Sequence, residues 1–214
     1  MTTSQDVPPA EVAGRQRLGP DYIAHWVVKS ARTEQMVEWY GTVFGAEIVY
    51  QDDGITFLTW DDESHRLAII RVPAPVRFLF PLAKFKRKAY GIDHIALTFT
   101  SLDRLLSNYV RLEREGIVPV WTINHGPTIS LYYEDPDGIR LEFQVENFDP
   151  EHTAAFFFTE EFARNPIGVN IDPAYLLSRL RKGASPRELR KREAGTRPGR
   201  PLVANKQTIT PKTL

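Results

Sequence analysis

Tyr22-Ile23-Ala24-His25-Trp26-Val27-Val28 and, later in the chain, Gly91-Ile92-Asp93-His94-Ile95-Ala96-Leu97 carry the same phrase twice. Each is an apolar run of the kind strands favour, with one histidine inside it. Each leads into a helical pattern and then into further strands. After the first, Met36, Val37, Tyr40, Val43 and Phe44 fall on one helix face, and Gly45 stands where a left-handed terminator belongs. After the second, Leu105, Leu106, Tyr109 and Leu112 do the same before Gly116. Thr33 and Ser101 are the expected caps of these helices.

Three strands are predicted to follow in each unit. In the first they cover 47–51, 55–60 and 66–72, with turns at Asp53-Gly54 and Asp61–Ser64. In the second they cover 118–123, 129–133 and 139–146, with a tight turn at Asp135-Pro136-Asp137-Gly138. Arg66-Leu67-Ala68 then matches Arg140-Leu141-Glu142. The expected fold is α+β, with two repeated βαβββ units forming a cupped mixed β-sheet. The boundaries read as an N-terminal arm at 1–20 and a metal-binding domain at 21–148. That domain splits into units 21–72 and 91–148 with a proline-bearing basic linker at 73–90. A C-terminal extension at 149–214 completes the chain, with a short helix opened by Asp172-Pro173 and ended by Gly183. Beyond Ser185 there are eight basic residues against two acidic, and that tail reads as an extended arm.

Composition narrows the chemistry. The chain of 214 residues has a formal net charge of zero, so nothing in the total charge points to an anionic partner. No nucleic-acid reading motif accompanies the basic tail. No apolar stretch resembles a signal peptide or a bilayer span, so a cytoplasmic protein without membrane attachment is expected. The tail points to a homo-oligomer, a dimer or larger. Cysteine is absent, which excludes disulfides, thiolate metal sites and cysteine nucleophiles. Any metal must take nitrogen and oxygen donors.

Taken singly, His25 and His94 would each be read as hydrogen-bonded core histidines, and Glu142 as an ion-pair partner of Arg140 or Lys29. Their repeat relation changes the reading. A pseudo-twofold pairing of the units would bring both imidazoles to one point in the concave face, with Glu142 on the last strand of the second unit. Its counterpart in the first unit, Ala68, has no donor. Two imidazoles and one carboxylate with open positions suit a catalytic non-haem Fe(II) centre, with Mn(II) as the alternative.

These phrases resemble a known family. The twin βαβββ plan looks like the vicinal oxygen chelate superfamily. The runs Glu63–Ile69, Gly91–Ala96 and Tyr132–Gly138, followed by Leu141-Glu142-Phe143, resemble its single-domain extradiol ring-cleavage dioxygenases across about residues 20–148. The resemblance implies a catechol bound to Fe(II) through both vicinal oxygens, O2 as second substrate, and opening of the aromatic ring. It implies that His65 is the acid–base histidine, although a surface histidine beside Asp61, Asp62 and Glu63 is the plain alternative. It implies that Tyr132 hydrogen-bonds a ring hydroxyl, and it leaves His125 as a substrate contact at a different spacing. His152 is read as structural or exposed. Aromatic residues Trp60, Phe78, Phe80, Trp121 and Phe143 are either pocket lining or ordinary core. Isomerase and thiol-transferase branches of the superfamily, and a non-catalytic binding protein on the same scaffold, are the competing readings. Oxygen dependence and metal content separate them.

Overall fold

A computed structural model describes residues 20, 22–73 and 91–199. The expectations for the N-terminal arm, most of the linker with Phe78 and Phe80, and the end of the basic tail lie outside these residues. The first unit runs β1 (Trp26–Ser30), α1 (Thr33–Phe44), β2 (Glu47–Gln51), β3 (Ile55–Thr59) and β4 (Leu67–Arg71). The second runs β5 (Ile95–Thr98), α2 (Leu102–Arg114), β6 (Trp121–Asn124), β7 (Thr128–Glu134) and β8 (Arg140–Glu146). Each unit makes its own mixed sheet, in the orders β1-β4-β3-β2 and β5-β8-β7-β6-β9, where β9 is Val169–Asn170 from the C-terminal extension.

The repeat extends to register. Val27 pairs with Ala68 across the parallel β1–β4 ladder, and Ala96 pairs with Glu142 across β5–β8. Phe57 then faces Ala68, just as Tyr132 faces Glu142. Side chains alternate faces along a strand. Leu141, Phe143 and Val145 therefore join the core beneath the helices, while Glu142 stands on the opposite face. Tyr133 is buried in the core and Tyr132 faces the other way.

One apolar core spans both units, with Met36 and Tyr40 of α1 joining Leu105, Leu106 and Leu112 of α2. Phe44 stacks on Trp60 at 4.4 Å between ring centroids and meets Phe143 edge-on at 5.5 Å. Trp60 and Phe143 are thus core residues rather than pocket lining. Helix α1 departs from expectation at its start. Arg32 is the N-cap and Thr33 is the first helical residue, without a side-chain cap. At the other end Gly45 does terminate it at φ 69. Ser101 caps α2 as expected, accepting from Arg104 N.

The C-terminal extension is more ordered than its composition implies. It forms α3 (Pro150–Phe156), α4 (Glu160–Arg164), α5 (Pro173–Arg181), α6 (Pro186–Leu189) and a 3-10 turn at Arg192–Gly195. The extended arm expected after Ser185 is folded through Gly199. A capping box between Ser185 and Glu188 starts α6, and Leu189 and Ala194 are buried in the core. Local capping and two apolar anchors outweigh the charge of the segment.

Candidate functional site

The site builds outward from Glu142. The residue is only 5% exposed, so each carboxylate oxygen needs a partner. Oε1 accepts a 2.8 Å hydrogen bond from the Tyr132 hydroxyl, which is its cross-strand neighbour on β7. Oε2 lies 2.9 Å from His94 Nε2. Burial alone would raise the Glu142 pKa, but hydrogen bonds from His94, Ser130 and Tyr132 outweigh it and hold the carboxyl below its ordinary value. The same contact with Glu142 raises His94 above its ordinary value, against burial and together with Asp93. Burial beside Glu142 pushes the Tyr132 hydroxyl well above the ordinary tyrosine range, so it stays protonated.

His94 stands one residue ahead of β5, and its far nitrogen is held. Asp93 Oδ2 lies 2.8 Å from His94 Nδ1. Arg140 Nη1 is 3.6 Å from the same carboxylate oxygen. An imidazole oriented by a carboxylate on one nitrogen leaves the other free to bind a metal. Arg140 pairs with Asp93 and Glu134.

His125 closes the other side. Its Nε2 is 3.0 Å from the Tyr132 hydroxyl and its Nδ1 is 2.5 Å from the Ile167 carbonyl oxygen. Burial lowers its pKa below the ordinary histidine value. Trp121 stacks on Tyr132 at 4.8 Å, forming an apolar wall with Ile123.

The structure therefore brings together His94, Glu142, Tyr132 and His125. It brings His25 and His65 together elsewhere, their rings 4.4 Å apart with Phe57 against His65. His25 precedes β1 by one residue as His94 precedes β5, and the chain before it is pinned by Arg66, whose Nη1 donates to Ile23 O and Ala24 O. Among the described residues, no three His, Asp or Glu side chains gather closely enough to hold a metal ion. The donors fit a divalent cation in kind, since imidazole nitrogen and carboxylate oxygen face each other at His94 and Glu142. His25 stands outside that pair. His152 is exposed and bonded to Asp149.

Reasoning from sequence missed the role of Asp93, its pairing with Arg140, and the Ile167 carbonyl. Asp93 was legible, since it adjoins His94 in the repeated phrase. Ile167 was not, because a backbone carbonyl leaves no signature in residue type.

Residues 22–143 match the profile of the Glyoxalase/Bleomycin resistance protein/Dioxygenase superfamily. The chain is 40% identical over 161 residues to biphenyl-2,3-diol 1,2-dioxygenase 2 of Rhodococcus globerulus, covering 75% of this chain and 82% of that one. It is 35% identical over 168 residues to biphenyl-2,3-diol 1,2-dioxygenase 3 of the same organism, covering 78% and 86%. Among solved structures, the fosfomycin resistance protein FosX of Mesorhizobium loti aligns with TM-score 0.46 and 19% identity, over 63% of this chain and 99% of that one. The register repeat, the buried carboxylate and these sequence relationships lead to one assignment: the chain belongs to the Glyoxalase/Bleomycin resistance protein/Dioxygenase superfamily.

Proposed function

We propose that this protein is an extradiol dioxygenase that opens the ring of a catechol next to its vicinal diol, using O2 and divalent iron. The observation that carries the reading is the buried Glu142 carboxylate, shared between His94 and Tyr132 at 2.9 and 2.8 Å. It stands in a chain 40% identical to a biphenyl-2,3-diol 1,2-dioxygenase. His94 and Glu142 are the proposed ligands that already face each other, His25 is proposed as the third although it stands outside that pair in this structure, and Mn(II) is the alternative ion. Bound iron would supply an electron path between diol and O2 that amino-acid side chains lack.

The remaining steps belong to the chain. Asp93 holds His94 with Nε2 presented. Tyr132, kept protonated by burial beside Glu142, offers its hydroxyl to a ring oxygen. His125 faces the same hydroxyl through Nε2, so that as the ring hydroxyl gives its proton to the Tyr132 oxygen, Tyr132 passes its own to His125 and stays protonated. His65, its ring 4.4 Å from that of His25, is proposed as the acid–base group on the opposite side of the substrate. Trp121, Tyr132 and Ile123 present an apolar surface to the aromatic ring. Ala68, at the position equivalent to Glu142, leaves one corner without a protein donor.

The test is anaerobic reconstitution with Fe(II), followed by biphenyl-2,3-diol and air. A yellow ring-opened product with one O2 consumed per ring is expected. Glu142→Ala and His25→Ala should each lose iron stoichiometry and turnover together. Turnover without O2, or an iron-loaded protein inert across a panel of catechols, would remove this function. Full iron binding by His25→Ala would remove that residue from the ligand set.

A further inference from the structure

The C-terminal extension reaches the candidate site through backbone groups. Strand β9 adds to the edge of the second sheet, pairing Asn170 with Ile123 and Val169 with Asn124, immediately before His125 leaves β6. Gly168, at φ 123, lies so close that a Cβ there would sit 2.8 Å from His125 Cα. Only glycine allows this approach. The contact sets Ile167 O against His125 Nδ1 at 2.5 Å.

Arg192 locks the two segments together. It is 6% exposed, and its Nη2 donates to His125 O at 2.9 Å and to Asn165 O at 2.8 Å. Glu161 lies 3.5 Å from Nη1, and the guanidinium rests over the Phe156 ring. Asn124 Nδ2 donates to Arg190 O and Lys191 O, so the 3-10 turn and the His125 loop hold each other from both sides.

We infer that the extension is a working part of the site: the Ile167 carbonyl selects the His125 tautomer protonated on Nδ1, and Arg192 is the positioning residue that keeps it there. A carbonyl oxygen only accepts, so the hydrogen between the two atoms belongs to the ring nitrogen. Nε2 is then bare and faces the Tyr132 hydroxyl at 3.0 Å. That hydroxyl has one proton and two acceptors, His125 Nε2 and Glu142 Oε1. The opposite tautomer would set an N–H against Tyr132 and a lone pair against the Ile167 carbonyl, losing the shortest contact in the network. The consequence for turnover rests on the dioxygenase reading, whereas the tautomer does not.

The test uses the full-length, metal-free chain labelled with 15N-histidine, with His125→Gln assigning the signals. Long-range proton–nitrogen spectra at neutral pH should show a pyrrole-type Nδ1 and a pyridine-type Nε2 at His125. A pyrrole-type Nε2 overturns the inference whatever the protein catalyses. Arg192→Met should populate both tautomers, and with Fe(II), biphenyl-2,3-diol and air its kcat should fall about 10- to 100-fold while KM stays within about twofold. Arg192→Lys should recover part of the loss. An unchanged tautomer and kcat in a folded Arg192→Met would remove Arg192 from this role. If that variant does not fold, the wild-type and Arg192→Lys spectra decide.

Discussion

Asp93 shows how much a single neighbour contributes. Its carboxylate ties His94 Nδ1 on one side and Arg140 on the other, so the imidazole that meets Glu142 is held by a charge network rather than by packing alone. Asp93→Asn keeps the shape but removes the charge. Removing such an orienting carboxylate should weaken divalent-metal affinity about 10- to 100-fold, measured by competition with a chelator, while thermal unfolding of the metal-free protein shifts little. A variant with unchanged affinity would show that His94 needs no help. Asp135 makes a second case, in the turn between β7 and β8. Its Oδ1 accepts from the backbone N–H of Asp137 and Ile139, and its Oδ2 from the Tyr40 hydroxyl. Burial raises its pKa to about 6, helped by Asp137 and opposed by those backbone hydrogen bonds. The folded chain therefore holds this proton more tightly than the unfolded chain does. This group's contribution to stability is complete below about pH 4 and is lost as pH rises to about 6, staying flat above. Asp135→Asn keeps the Oδ1 acceptor and cannot ionise. It should gain on the order of 2 kcal/mol relative to wild type between pH 4 and pH 7. Urea unfolding at the two pH values reads this difference directly, and parallel curves would contradict it.

Helices and strands were legible in proportion to how local their causes are. Apolar spacing marked α1 and α2, Gly45 marked a helix end, and Ser101 was a true cap because its hydroxyl reaches Arg104 N within one turn. Thr33 met the same rule in residue type but lies inside the helix, buried, because its position relative to the core overrode the capping preference. Strand β9 carried no signal, since two residues have no period and their partner β6 is distant in sequence. The end of α1 shows the same dependence on remote partners. It has no basic residue in its own last turn, and Arg111 of α2 donates to Thr42 O at 2.6 Å and Val43 O at 2.7 Å instead. A cation on the last carbonyls of a helix satisfies unpaired acceptors and meets the negative end of the dipole. Arg111→Ala should cost about 1–2 kcal/mol in urea unfolding. Arg111→Lys should recover only part of it, because one ammonium fits two diverging carbonyls less well than the planar fork. Equal stability of wild type and Arg111→Ala would mean that solvent serves those carbonyls as well.

At the scale of the whole molecule, the duplication explains both what could be read and what could not. Matching phrases located equivalent positions, and the structure keeps that equivalence to the residue: Ala68 and Glu142 occupy the same ladder position, as do Phe57 and Tyr132. Equivalence is a statement about each unit, whereas distance between units depends on how the two sheets pack. His94 and Glu142, within one unit, accordingly lie 2.9 Å apart, while His25 lies with His65 in the other unit. What couples the units is the shared core, and Phe143 is its hinge between structure and site. It follows Glu142 on β8, points to the opposite face, and touches Tyr133, Phe99 and, from the first unit, Phe44. With 2% exposure it has no room to relax outward. Phe143→Ala should therefore destabilise the protein by about 3–5 kcal/mol, through lost burial and the cavity left behind. Because the ring serves both units, the loss should appear in a single unfolding transition followed alike by tryptophan fluorescence, which samples Trp26, Trp39 and Trp60 of the first unit and Trp121 of the second, and by far-UV circular dichroism. Two separated transitions would mean that each βαβββ unit folds on its own core, and that the cross-unit contacts of Phe44 and Phe143 contribute little to holding the two units in one body.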